Sequence, residues 1–213
     1  MRIRYIMLML ATVVLSSLWG LVLRCRGILI RVLSPEYIGY YQPLLTLLLW
    51  LVTLMALFSV AVLCYRSGFF VDWKATFAWK RLFFLVVLAL LLLNFNYLVG
   101  KLLTASQITN TNQQMMMQAY HLLPRGVFLI NGTIGAALFE ETIYRACIFK
   151  ILKNKKLAFM ISIIVFPLVH TQNLSALAYV PTALVLTGLY YKRESLSDCI
   201  LVHALHNALS FMI

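Results

Sequence analysis

Val127-FLINGTIGAALFEETIYRACIF-Lys150 decides the fold. It is an apolar run of membrane-helix length, yet it holds Glu140 and Glu141 side by side, two of the six acidic residues in the chain. A carboxylate in hydrocarbon is costly unless it is paired, protonated or set in a water-lined cavity. Two adjacent ones need a reason, and chemistry is the reason tested below.

The surrounding composition fixes the class. The chain has 213 residues, 63% of them hydrophobic and 11% charged, with mean hydropathy +0.92. Soluble chains run near about a quarter charged. This is an all-α polytopic membrane protein, and its length allows one helical bundle. A bilayer core takes about 20 apolar residues per helix. Candidate spans lie near 6–23, 43–64, 82–100, 127–150, 157–174, 176–191 and 196–212, which gives about seven transmembrane helices around a polar intramembrane cavity. The first run reads as a spanning helix rather than a cleaved signal, because it continues into Arg24 and Arg26 without a small-x-small site.

Net charge is +12, but the positives gather at the ends of apolar runs, where they set topology. Nucleic acid is therefore not an expected partner. With the N-terminus in the cytoplasm, Arg2, Arg4, Arg66, Lys74, Lys80, Arg81, Lys150, Lys153, Lys155, Lys156, Lys192 and Arg193 fall inside. Arg24, Arg26, Arg31, Lys101 and Arg125 fall outside. That imbalance favours N-in and C-out. Arg24–Gln42 reads as a loop with room for a short interfacial helix, and Lys101–Arg125 as a lid or surface helix. Pro167 and Pro181 interrupt two short segments, which should face protein rather than lipid. Cys25, Cys64, Cys147 and Cys199 show no paired spacing and read as packing residues.

Three segments carry polar groups into the membrane. In the fourth span, Glu141 and Arg145 are four apart and can pair as a structural unit. Glu140 points about 100° away, toward the face of Gly132 and Ala136, and must look to another helix. The fifth supplies Phe166-Pro-Leu-Val-His170. The seventh supplies His203 and Asn207 on one face, with His206 at its edge. At about 1.5 Å per residue, Glu140, His170, His203 and Asn207 fall at similar depth, about 10–20 Å from the cytosolic helix ends. Taken singly, His170 reads equally well as an interfacial histidine at a helix end.

A carboxylate and an imidazole around a water form a general-base arrangement, and a second histidine with an asparagine amide can donate to an oxyanion. Together they describe hydrolysis of a peptide bond by activated water. Ser210 and Cys147 sit in no nucleophile motif. Glu140, His170 and His203 also have the donor set of a two-His, one-carboxylate zinc site, although no H-E-x-x-H motif is present. No cofactor is favoured, and direct and zinc-assisted attack both stay open.

These residues closely resemble the motifs of the CPBP family, the "CAAX protease and bacteriocin-processing" intramembrane proteases. Its E-E-x-x-x-R, F-x-x-x-H and H-x-x-x-N/D patterns match Glu140-Glu141-Thr-Ile-Tyr-Arg145, Phe166-Pro-Leu-Val-His170 and His203-Ala-Leu-His-Asn207 in order. The resemblance covers about 120–213, leaving 1–110 as transmembrane helices without a recognisable motif. It implies Glu140 as general base with His170 assisting, His203 and Asn207 on the oxyanion side, and Glu141 and Arg145 in support. His206 matches no fixed position and is left structural. Ala146 stands where the family often has glycine. The implied protein is an endopeptidase of a bacterial plasma membrane acting on a peptide or lipidated peptide, in peptide or bacteriocin maturation or self-immunity. A non-catalytic immunity or binding protein on the same fold, and a small proton-coupled transporter, are the competing readings.

Overall fold

The computed structural model describes residues 2–32, 35–108 and 110–212, with side chains other than those of 19, 23, 25–32 and 35–40. Helix accounts for 88% of the described residues, and no strand occurs among them. The helices are α1 (Arg2–Val32), α2 (Pro35–Arg66), α3 (Trp73–Thr76), α4 (Trp79–Ala105), α5 (Thr111–Leu122), α6 (125–151), α7 (Lys155–His170), α8 (Val180–Arg193) and α9 (Leu196–Ser210). A 3₁₀ turn, Leu174–Tyr179, leads into α8.

Four of these helical stretches are long and apolar enough to cross a membrane: Arg2–Val22, Tyr41–Arg66, Trp79–Ala105 and Leu174–Arg193. The other expected spans correspond to helices of a different character. α7 and α9 have 16 and 15 residues, so they are about 24 and 22 Å long against a hydrocarbon core of about 30 Å. α6 is long enough but carries Glu140, Glu141 and Arg145.

The expected loop at 24–42 is helical instead. α1 continues to Val32 and α2 begins at Pro35, because no proline occurs before Pro35, and proline suits a helix start. The side chains of Cys25, Arg26, Arg31 and Glu36 lie outside the described residues. Pro181 opens α8 rather than breaking a span, and Pro167 sits in the last turn of α7; both are buried against protein. Lys101–Arg125 resolves into the end of α4 and the separate helix α5. Asn110 caps α5, its side-chain oxygen accepting from Gln113 N at 3.1 Å.

α6 is one helical rod with two wider π-helical turns, Asn131–Gly135 and Thr142–Cys147. They flank Ala136–Glu141, which carries both glutamates. Such turns shift the register of everything beyond them and recur at functional sites. α9 packs on α4, on Ala136–Glu141 and on the first π turn, and α7 packs on α8. The core where these meet is apolar: Leu85, Leu92, Phe139, Cys147, Leu186, Cys199 and Val202 are buried in one cluster. In lipid such packing holds helices by close contact rather than by exclusion of water.

The base of α9 is anchored by charge. Asp198, fully buried, accepts from Arg81 Nε at 3.0 Å and from Thr76 Oγ1 at 2.8 Å, with Arg81 Nη2 at 2.8 Å and Arg193 at 3.6 Å. Ser195 caps the helix by accepting from Asp198 N. One acidic residue thus ties α3, α4, α8 and α9 together.

Candidate active site

Glu140, His170 and His203 converge from α6, α7 and α9. Glu140 Oε2 lies 3.5 Å from His170 Nε2 and 3.9 Å from His203 Nε2. That oxygen is buried and has no direct hydrogen-bond partner. The separations are too long for good direct hydrogen bonds and suit a bridging water.

Hydrogen-bond partners fix which ring nitrogens face the site. His170 Nδ1 is 2.7 Å from the carbonyl of Phe166, one turn back on α7. A carbonyl only accepts, so Nδ1 carries the proton and Nε2 presents a lone pair to Glu140 in the neutral ring. The His170 ring also stacks on Tyr179, with centroids 4.5 Å apart and planes at 23°. Tyr179 OH in turn accepts from Asn112 Nδ2 at 2.8 Å and donates to Asn110 Oδ1 at 3.3 Å, which links the start of α5 to the site.

Glu141 does more than pair with Arg145. Its Oε1 accepts from Arg145 Nη1 at 3.0 Å and from His203 Nδ1 at 2.7 Å. Glu141 and Arg145 side chains are fully buried. The guanidinium lies 4.4 Å over the Phe166 ring, so the phenylalanine of the second motif packs the arginine of the first. The sequence reading gave Glu141 a partner on its own helix; it also orients the histidine of α9. A carboxylate holding one nitrogen of an imidazole fixes the orientation of the ring.

Asn207 is placed differently from the other three. Its Nδ2 donates to the Gly132 carbonyl in the first π turn at 2.9 Å, and its Oδ1 is 3.0 Å from His206 Nδ1. No described hydrogen bond joins it to Glu140. His206 Nε2 is 2.9 Å from Asn96 Nδ2 of α4. Asn96 was missed in sequence, although an asparagine in the Leu-rich run around it was a signal. Tyr179 was missed as well, and nothing in its spacing marked it.

The three facing donors have the chemistry zinc prefers, but no group of three His, Cys, Asp or Glu side chains is arranged to hold a metal ion together among the described residues. The groove of about 700 Å³ between α2, α3, α6 and α9 is a different feature, walled by apolar side chains such as Phe58, Trp73, Leu138 and Leu201.

Comparison with known proteins places this arrangement. Residues 123–209 match the family model described as type II CAAX prenyl endopeptidase Rce1-like, a stretch that contains all three motifs. The chain is, over residues 123–209, similar to a CPBP-type family. Its relatives include the UPF0177 protein YaiF of Lactococcus lactis subsp. lactis (strain IL1403), 29% identical over 80% of this chain and 78% of the relative. The UPF0177 protein in the abiGi 5' region of Lactococcus lactis subsp. cremoris is 28% identical over 84% of this chain and 78% of the relative. UPF0177 protein YaiH of the first strain is 31% identical over 73% and 66%. No solved structure matches this chain. The match to a CAAX-protease family and the long apolar helices fit a membrane protein.

Proposed function

We propose that the chain is an intramembrane endopeptidase in which Glu140 activates a water. The observation that carries this is the approach of two imidazole Nε2 atoms to one buried, unpartnered carboxylate oxygen. A water there donates one proton to Glu140 and directs the other toward His170 Nε2. Its oxygen attacks the peptide carbonyl carbon as Glu140 takes the first proton. The carbonyl π electrons move to oxygen, and His203 and Asn207 form the side that stabilises it. Glu140 then passes the proton to the amide nitrogen, the C–N bond breaks, and an acid and an amine leave. Each step uses positioned groups in a site with little water, where such donors are worth most. The donor set is not gathered as a metal-holding group, and no step is routed through zinc.

The bilayer arrangement belongs to the same proposal: seven crossings by α1, α2, α4, α6, α7, α8 and α9, with the N-terminus cytoplasmic. Contacts between helix ends support it. Arg4 of α1 donates to the Arg66 carbonyl of α2, Lys155 of α7 pairs with Glu194 after α8, and Arg81 of α4 pairs with Asp198 of α9. Those ends carry most of the positive charge, as a cytoplasmic face does. The substrate would be a peptide or lipidated peptide, in peptide or bacteriocin maturation or self-immunity at a bacterial plasma membrane.

The test compares membrane and secreted peptides from cells with wild type and with Glu140→Gln. A defined fragment present with wild type and absent with the variant is the expected result. Full biological activity in well-folded Glu140→Gln and His170→Ala proteins would sink the proposal. Metal analysis of the purified protein, and cleavage in the presence of a chelator, decide whether zinc takes part.

A further inference from the structure

The hydrogen bonds around Asn207 have a direction, and the backbone sets it. The Gly132 carbonyl can only accept, so the Asn207 atom 2.9 Å from it is the amide nitrogen. Asn207 Oδ1 therefore faces His206 Nδ1 at 3.0 Å, and Nδ1 must carry the imidazole proton. In the neutral ring His206 Nε2 then presents a lone pair. Asn96 Nδ2, 2.9 Å away, donates to it, and the same amide nitrogen donates to Thr182 Oγ1 at 2.8 Å. Reversing the Asn207 amide would oppose two acceptors at the Gly132 end, and reversing Asn96 would oppose two at His206 Nε2. The chain Asn96, His206, Asn207, Gly132 is thus a one-way relay from α4 through α9 to the π turn of α6, with Thr182 of α8 accepting from the same Asn96 amide.

From this we infer that Asn96 and His206 are positioning residues, which hold the Asn207 amide with its nitrogen toward α6. The inference rests on the endopeptidase reading and deepens it. An amide nitrogen has two N–H groups, and the Gly132 carbonyl uses one. Asn207 lies four residues beyond His203, on the same face of α9. In the endopeptidase reading the second N–H serves the oxyanion. A flipped amide would present an oxygen to that oxyanion and repel it. Placing the residues that set this orientation on other helices makes it depend on the assembled bundle. His206, in the third motif without a fixed position there, acquires a role, and the asparagine in the apolar α4 acquires a reason to be polar.

The experiment labels the histidines with ¹⁵N in the full chain, purified into lipid nanodiscs, and reads the ring nitrogens by NMR, with His206→Gln identifying the His206 signals. The expected wild-type state is protonated Nδ1 and unprotonated Nε2. Asn96→Asp keeps the shape but removes the donor, so it should invert the His206 tautomer. Asn96→Leu should shift the same signals by removing the partner. Both should slow production of the Glu140-dependent fragment by up to about a hundred- to a thousandfold, the effect of losing an oxyanion donor, through kcat rather than KM. An Nε2–H tautomer in wild type overturns the relay whatever the cleavage result. An Asn96→Asp protein with an inverted tautomer and wild-type cleavage overturns the positioning role. The expected tautomer in a protein whose peptides are the same with and without Glu140→Gln overturns the endopeptidase reading instead and leaves the relay standing.

Discussion

Glu140 and Glu141 are neighbours in sequence with opposite surroundings. Glu141 is enclosed, with Arg145 and His203 on one oxygen. Glu140 keeps a quarter of its side chain exposed, and its inner oxygen is unclaimed. The consequences of removing each charge should separate accordingly. Glu141→Gln leaves the Arg145 guanidinium buried without a counter-charge. Breaking a buried pair from one side costs about 3–5 kcal/mol, so the variant should show a loss of that order in unfolding measurements on the purified protein. Glu140→Gln removes no such partner and should unfold within about 1 kcal/mol of wild type. It should lose about two to four orders of magnitude in cleavage, the usual contribution of a general base. A Glu140→Gln protein as unstable as Glu141→Gln would mean that both glutamates are structural. The Glu141–Arg145 pair was legible in the sequence from four-residue spacing alone. The bond from Glu141 to His203 was not. Which of two adjacent carboxylates meets α9 depends on the rotation of α6, and two π turns alter that rotation without any spacing rule to announce them.

At the scale of elements, the site is only as accurate as the placement of α9. Asp198 makes that placement, because it is buried at the helix start and answers Arg81, Arg193 and Thr76 together. Asp198→Asn keeps the shape and removes the charge, leaving Arg81 one-fifth exposed and without its carboxylate. A loss of about 2–3 kcal/mol in unfolding is expected, below the fully buried case because water reaches the arginine. His203 should shift with the helix, so cleavage should fall although residue 198 is far from the chemistry. Unchanged stability in this variant would show that α9 is held by its apolar face alone. The expected span 196–212 puts Asp198 at a helix end but not in an ion cluster, since Thr76 and Arg81 lie more than a hundred residues away in the chain. A second close approach is local to α6. A Cβ added at Gly126 would come within 2.7 Å of the Trp50 ring, which α2 presents to that helix. Gly126→Val should therefore separate α2 from α6 and lower stability by about 1–3 kcal/mol, the range for overpacking. Wild-type unfolding would show that the indole turns aside freely.

For the whole molecule, polar contacts sort the helix ends into two faces. On one face lie the contacts of Arg4, Arg66, Arg81, Lys155, Glu194 and Asp198. On the other lie Asn110 and Asn112 with Tyr179, and Thr111 with Thr171 at 3.2 Å. The apolar surface between them, including Phe58, Met55 and Leu98, is exposed as a lipid-facing wall would be. Charge counting along the sequence reaches the same partition independently, because a membrane potential and the insertion machinery read lysine and arginine rather than tertiary contacts. Agreement between two unrelated signals makes orientation the sharpest prediction at this scale. A single cysteine placed at Asn154, in a variant lacking the native cysteines, should react with a membrane-impermeant thiol reagent only after the cells are opened. One placed at Asn110 should react in intact cells. Cys64, Cys147 and Cys199 are buried, so they would add little background, and serine at those positions tests whether their removal is tolerated. Labelling of both sites from the same side would break the alternation of crossings between α5 and α7. Exchange of the two patterns would keep the alternation and invert the protein, placing its N-terminus outside.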